Sequence, residues 1–377
     1  MKMKTEKMVK VIKMVRARIN KVVSGAKKYC VGQDHLVEML VYSTLTNEHS
    51  ILIGPPGCNK SQVIDYWTSH LADDSNQVFR ATLSKESSPE ALVGPFDPRA
   101  LKERGVWVRN LENTMADERC YYAHISEIFS ARGSTLRELV RVLNEREIEN
   151  GGKRIKLNLR SVFSDSNYLP LEENDAVFDR FLFRARVDYL PTNNQGDFLR
   201  MLKSNDVLSN VNGVSTIGLR AIDLAKKDIA SVELPDAVLL ELFNLRAKFA
   251  DNASMAVSDR RWKKACKALR AIAWCRDSYT VEARDLYALR FILFNGENAD
   301  EVNSALEQYR YIEPAMRDQE YVDSCLRVYE HASASNERSI IANAISQLEE
   351  ASAQVLTSAA RGEIMRMVDD LTARVAL

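Results

Sequence analysis

Short apolar runs alternate with helix-period patterns over the first half of the chain, and only the helical rhythm continues beyond it. Ser50 leads into the short apolar run Ile51-Leu52-Ile53, which reads as a buried parallel strand. Gln77–Leu83, Arg119–Ile125, Arg160–Ser164 and Phe183–Val187 predict four more strands. Between them, Val63, Ile64 and Trp67 share one side of a helix. Leu136, Leu139, Val140 and Leu143 line one face of another over Ser134–Arg146, and Ala176–Phe181 closes a third helical stretch. Strands alternating with helices predict an α/β fold with a parallel five-stranded sheet. Gly105–Arg109 reads as a short strand, one arm of a hairpin, and Ile148–Ile155 as a hairpin turning at Gly151-Gly152.

Helices flank this frame. Residues 1–28 carry ten Lys and Arg against the single acid Glu6. Met8, Val11, Ile12, Val15, Ile19, Val22 and Val23 form a stripe, so the segment predicts an amphipathic helix packed on the core with a solvated basic face. Val31-Gly32-Gln33-Asp34-His35 opens a further helix through Leu36, Met39 and Leu40. Beyond Pro191 the strand signals stop. Helical patterns run to about Phe294, with Ser258 as N-cap of a long helix through Trp274. Residues 297–377 are helical again, with a polar break at Ala332–Asn336.

Composition narrows the function classes a little. Lys plus Arg equals Asp plus Glu at 52 each, which argues against a nucleic-acid motor, the basic N-terminal helix being its one supporting feature. No apolar run approaches membrane-spanning length, and the Lys-rich start leads into no signal-peptide core. The six cysteines (30, 58, 120, 266, 275, 325) form no CxxC and no metal-ligand spacing. That suits a reducing cytoplasm and argues against structural zinc.

The chemistry starts where the first strand ends, at Gly54-Pro55-Pro56-Gly57-Cys58-Asn59-Lys60-Ser61. A strand, a glycine-rich turn, Lys-Ser and a helix make a phosphate-binding loop of nucleotide triphosphatases. Gly54 and Gly57 let backbone N–H groups curl around phosphate oxygens at the positive end of the helix. Lys60 is placed to reach the β- and γ-phosphates of ATP, and Ser61 to ligate Mg²⁺. Asn59 stands where the pattern has its second glycine, and Asn is among the residues that tolerate positive φ.

With this loop at its head, the chain resembles the AAA+ ATPases of the MoxR class, and within it the RavA branch. The resemblance spans roughly residues 30–296 and rests on six pieces in order. Ser88–Pro95 with Ala100–Gly105 is similar to the RavA-branch segment after the second strand. Ser126-Glu127-Ile128 sits at the Walker B place, followed by Asn144-Glu145-Arg146. Ser166–Pro170 is similar to the sensor 1 segment, Phe178-Asp179-Arg180 to the arginine-finger segment, and Ser258–Lys264 to the start of the sensor 2 lid helix. The implied organisation is a basic helix (1–29), an AAA+ αβα nucleotide domain (30–191), a helical lid (192–296) and a C-terminal helical extension (297–377).

The resemblance implies a homo-oligomeric ring, usually hexameric, with ATP between subunits, and a chaperone-like remodelling function beside a von Willebrand A-domain partner. The hairpins near Gly105 and Gly151 would be the inserts such ATPases use on their clients. Glu127 takes the role of polarising water, Asn167 of positioning water or γ-phosphate, Arg180 of a finger from the next subunit, and Arg260 of sensor 2 in cis. Taken singly, each has a structural reading as a strand-end carboxylate, turn former or helix-surface cation.

One departure bears on catalysis. Walker B strands end in an aspartate, and here that position is Ser126. A hydroxyl lacks the negative charge a hard cation prefers. His124 shares a face with Ser126, but imidazole suits Mg²⁺ poorly, and the residue reads as a satisfied core histidine. Asp165 lies two residues before Asn167 and so shares its face, on a strand that the resemblance places beside the Walker B strand, about 4.8 Å away. Its carboxylate is a candidate to have taken over the Mg²⁺ shell, against its reading as a turn acid. Two functions stay open: a remodelling ATPase, and a nucleotide-binding scaffold or switch that hydrolyses little.

Overall fold

β1 (His49–Ile53) is buried along its whole length, the apolar Ile51-Leu52-Ile53 together with the polar His49 and Ser50. In the computed structural model, residues 2–71, 77–170, 175–190, 192, 195–203, 216–250, 257–310, 314–335, 337–354 and 358–376 are described. α1 (Lys2–Tyr29) and α2 (Asp34–Thr46) precede β1, and α3 (Lys60–Ser69) follows it. Then come β2 (Gln77–Thr82), α4 (Glu90–Val93), α5 (Pro98–Arg104), β3 (Cys120–Ser126) and α6 (Gly133–Glu145). β4 (Glu147–Asn150) and β5 (Lys153–Lys156) form a separate antiparallel hairpin. β6 (Ser161–Ser166), α7 (Asp175–Phe178) and β7 (Phe181–Arg186) complete the α/β part.

The main sheet has the order β2-β3-β6-β1-β7, and every pairing in it is parallel. Chain order jumps on either side of β1, so the crevice beyond its C-terminal end is a topological switch point, where open α/β sheets bind ligands. Register then decides which strand tips become neighbours. Leu52 pairs with Asp165, and Ile125 with Ser164, so Ser126 and Asp165 end up side by side at that edge. One face of the sheet carries a core of Ile51, Ile53, Ile125, Val162 and Phe181, with Leu136, Leu139 and Leu143 of α6 packed on it. A fully buried side chain of this size contributes about 1.5–3 kcal/mol, which holds α6 whatever its helix propensity.

α1 packs as an amphipathic helix. Ile12, Val15, Ile19 and Val22 are buried, whereas Val11 of the sequence stripe faces outward. Arg16 is buried on the apolar side instead. Its guanidinium lies 4.6 Å from the centre of the Trp274 ring and pairs with Asp277. Gly105–Arg109 is not a strand. Gly105 caps α5 with a φ of 64°, and the segment touches Phe96 through a single antiparallel bridge at Arg109. Trp107 accepts from the N–H of Gly151, so this loop and the β4–β5 turn meet. The strand ends also shift slightly: β3 takes in Ser126, β6 takes in Asp165 and Ser166, and β7 begins at Phe181.

Helices follow the sheet: α8 (Gln195–Lys203), α9 (Leu219–Ile229), α10 (Asp236–Ala250), α11 (Asp259–Cys275), α12 (Arg290–Leu293) and α13 (Ala299–Arg310). Ser258 caps α11 by accepting from the N–H of Arg261. Residues 304–377 form a unit of their own. There α14 (Pro314–Ser333), α15 (Arg338–Gln354) and α16 (Ser358–Ala376) enclose a core of Val322, Ile341, Leu348, Ile364 and Leu371. The expected polar break falls between α14 and α15, and its Asn336 lies outside the described residues. Among the described residues, no helix is long and apolar enough to cross a membrane.

Candidate functional site

The loop after β1 closes because two backbone demands are met. A Cβ on Gly54 would stand 1.8 Å from the carbonyl oxygen of Val187, so only glycine fits there. Asn59 adopts φ 61°, ψ 21°, the left-handed conformation that the pattern's glycine would supply. It stands directly before the first turn of α3, and nothing lies within 4 Å of a Cβ built on Gly57. Among the described residues, none accepts from the backbone N–H groups of Gly57, Cys58, Asn59 or Lys60. Unpaired donors at a helix N-terminus form an anion cradle. The outer side of the loop is tied down: the Gln33 amide donates to Cys58 O at 2.8 Å, and the Tyr189 hydroxyl to Pro56 O at 2.9 Å. The Cys58 thiol turns inward to Pro55 O.

Lys60 is buried and folded back on the loop. Its ammonium donates to Gly54 O at 2.7 Å, Pro55 O at 2.8 Å and Asn167 Oδ1 at 2.8 Å. The Asn167 amide donates in turn to Glu127 Oε1, so one amide bridges the loop cation and the β3-end carboxylate. Glu127 holds a φ of 53°. For a non-glycine residue that costs about 1–2 kcal/mol, and such strain clusters at functional sites.

Asp165 sits at the centre. Its Oδ2 accepts from Ser61 Oγ at 3.1 Å and from Ser126 Oγ at 3.1 Å, and its Oδ1 from the Glu127 N–H at 3.4 Å. The residue is 2% exposed. His124, at 4% exposed, places Nε2 3.0 Å from the same Oδ2 and Nδ1 3.0 Å from Asp65 Oδ1. It is therefore a satisfied histidine, but its partners are the carboxylates around the loop. Burial works against its charge, yet the hydrogen bonds to Asp165 and Asp65 outweigh it and raise its pKa. Asp65 shows the reverse balance: burial raises it, and His124 and Arg80 bring it below the usual carboxylate range.

Lys60, Ser61, Ser126, Glu127, Asp165 and Asn167 thus meet in one network. Arg180 and Arg260 do not join it. Arg180 pairs with the adjacent Asp179 at 3.1 Å, and its buried Nε has no partner among the described residues. Arg260 points outward and donates to Asn144 Oδ1 at 3.1 Å. The next residue, Arg261, turns inward to Asp179 Oδ1 at 3.1 Å and Ile292 O at 3.1 Å, tying the start of α11 to the segment before β7. The sequence reading missed Arg261 and Asp65. Asp65 was within reach of pattern reasoning, since it stands four residues after Ser61 on the same helix face.

Mg²⁺ is the cofactor that the phosphate loop implies, and the donor set fits it. A hydroxyl and one carboxylate, those of Ser61 and Asp165, suit a small hard cation that keeps several waters and takes few protein oxygens. Among the described residues, no group of three or more His, Cys, Asp and Glu could hold a metal on protein ligands alone.

Comparison with known proteins gives four findings. The family model for the MoxR domain in the MoxR-vWA-beta-propeller ternary systems matches residues 17–221. An AAA lid domain model matches residues 237–306. Two uncharacterized proteins of Methanocaldococcus jannaschii, MJ0079 and MJ0812, are each 28% identical, over 280 and 279 residues. Those alignments take in 74% of this chain, and 70% and 71% of the two relatives. Among solved structures, a candidate ATPase from Cytophaga hutchinsonii superposes with a TM-score of 0.62 at 16% identity, covering 81% of this chain and 97% of that one. At that identity the likeness speaks to fold.

Proposed function

The chain belongs to the family of MoxR domains in MoxR-vWA-beta-propeller ternary systems, and on that premise we propose a ring-forming AAA+ ATPase that remodels or activates a protein complex. The observation that carries this reading is the network joining Lys60 and Ser61 to Asp165, Asn167 and Glu127. ATP phosphates enter the N–H cradle of Gly57–Lys60, and Lys60 leaves the loop carbonyls for the β- and γ-phosphates. Ser61 and Asp165 would hold Mg²⁺, with Ser126 donating to Asp165 from the usual Walker B position. The bound cation supplies positive charge beside the phosphates. Glu127 orients a water and takes its proton as the water oxygen bonds to the γ-phosphorus and the bond to ADP breaks. Asn167 keeps Glu127 and Lys60 in register.

Arg180 completes the site from a neighbouring subunit, which is why the proposal includes a ring, of the hexameric kind usual among such ATPases. Arg260 remains assigned to sensor 2 only if α11 turns on nucleotide binding, because its partner here is Asn144. The Ser88–Pro95 segment supports a RavA-like branch, and the cysteine usage suits a cytoplasmic location. The partners expected are a von Willebrand A-domain protein and a β-propeller protein, after the systems the family is described from.

Steady-state phosphate release by the purified chain, beside Lys60→Ala and Glu127→Gln, tests the reading. Turnover in the wild type that both substitutions remove supports it. ATP binding without turnover in the wild type selects the scaffold or switch, and absence of ATP binding overturns both.

A further inference from the structure

We propose that His124 is a positioning residue that fixes which oxygen of Asp165 faces the metal; this rests on Asp165 being the metal carboxylate. Each ring nitrogen of His124 lies 3.0 Å from a carboxylate oxygen, Nε2 from Asp165 Oδ2 and Nδ1 from Asp65 Oδ1, so the ring is held between β6 and α3, and a proton on Nε2 is donated to Asp165. On the Asp165 side, Oδ2 takes His124 Nε2, Ser61 Oγ and Ser126 Oγ, while Oδ1 has only the long contact from the Glu127 N–H. His124 thereby anchors Oδ2 and leaves Oδ1 to accept from a metal-bound water.

The far end of the ring is braced as well. Asp65 belongs to α3, the helix that carries Ser61, and is itself paired with Arg80 of β2 at 3.4 Å, while Arg80 donates to Thr68 Oγ1 at 3.1 Å. A row of paired side chains, Arg80–Asp65–His124–Asp165, therefore runs from the sheet edge through α3 and β3 to β6. It sets the separation of Ser61 and Asp165, the two groups that must share one cation. Partners that orient metal ligands in this way are worth roughly ten- to a hundredfold in metal affinity.

The test uses the full chain and ATP, titrated calorimetrically in Mg²⁺ and in EDTA, for wild type, His124→Leu, His124→Gln and His124→Asn. Gln keeps a donor near the Nε2 position, toward Asp165, whereas Asn keeps one near Nδ1, toward Asp65. The expected result is that Mg²⁺ tightening of ATP binding falls at least tenfold in the Leu and Asn variants and stays within about threefold of wild type in Gln. Affinity in EDTA should be unchanged in all. If Leu does not fold, the Gln and Asn pair decides alone. Rescue by Asn and not by Gln, full Mg²⁺ tightening in every variant, or equal losses in Mg²⁺ and EDTA would each overturn the proposal. Wild-type affinity that ignores Mg²⁺ would instead overturn the reading of Asp165 on which it rests.

Discussion

The Lys60 ammonium and the Asn167 side-chain amide oxygen lie 2.8 Å apart, joining the phosphate loop to the tip of β6, the strand beside β1 in the sheet. Asn167 also donates to Glu127, so removing it frees a cation and a carboxylate at once. Asn167→Ala should lower turnover roughly a hundredfold, the scale of losing one positioned polar group. ATP affinity should change less than threefold. A variant that loses affinity and turnover in proportion would mean that Asn167 serves binding alone.

Lys60 itself makes a contrasting prediction. Its three acceptors within the chain are neutral oxygens, and phosphates offer charge-assisted bonds worth about 1.5–3 kcal/mol each. Lys60→Ala should therefore weaken ATP binding on the order of ten- to a hundredfold by calorimetry. Equal affinity in wild type and variant would place the nucleotide elsewhere.

Ser126 and Asp165 can be exchanged as a test of the moved carboxylate. Asp165→Asn should abolish Mg²⁺-dependent hydrolysis while leaving ATP binding in EDTA intact. Adding Ser126→Asp should restore it, because the two side chains already touch at 3.1 Å. Unchanged Mg²⁺ dependence in Asp165→Asn would remove Asp165 from the metal site. A wild type without turnover that gains it from Ser126→Asp alone would mark a binding ring whose catalysis was lost at Ser126.

Local chemistry explains what could be read from the chain. The β1–loop–α3 unit was legible because a strand, two glycines, Asn59 and Lys-Ser act within twelve consecutive residues. Asp165 was legible through strand parity with Asn167. The sequence marks His124 as a core histidine but not its partner Asp65, which reaches it only through packing of α3 on β3. Arg260 and Arg261 show the limit of motif reading, because one residue turns a helix by about 100° and decides which arginine faces inward. Gly105–Arg109 carries β-type residues but finds one bridge and no ladder, and strand propensity without a partner makes a loop.

His49 gives a pH prediction. Its Nε2 donates to Leu143 O at 3.0 Å and its Nδ1 accepts from the Val162 N–H at 2.9 Å, which fixes the neutral tautomer. Burial, with the Arg146 charge second, lowers its pKa to about 3. The unfolded chain takes up that proton near pH 6.5, so it binds more protons than the folded state between about 3 and 6.5. Stability is then lost as pH falls through that window, at about 1.4 kcal/mol per pH unit. His49→Gln, which keeps a donor for Leu143, should cost stability at pH 7.5, and the gap to wild type should narrow by pH 5. A urea-midpoint gap that stays constant between those pH values would contradict this.

Arg180 makes the assembly testable. Within its own chain it reaches Asp179, which also accepts from Arg261, so the arginine is held at the segment before β7 by a carboxylate already shared with the lid. As a finger, the role proposed for it, Arg180 would act on the nucleotide of an adjacent copy. Rings should therefore form or tighten with an ATP analogue, as read by mass photometry at micromolar concentration. Arg180→Ala should keep ATP affinity within threefold and lose turnover by roughly a thousandfold, the lower end for arginine fingers. Mixing Arg180→Ala with Lys60→Ala subunits adds a sharper readout. A mixed interface with the Lys60→Ala subunit on the finger side pairs an intact finger with an intact loop, whereas the reverse order pairs both defects. A fraction of the wild-type turnover should therefore return although neither variant works alone. A strict monomer with and without nucleotide, or mixtures that stay inactive while co-assembling, would sink the assignment of Arg180 to a neighbour's site.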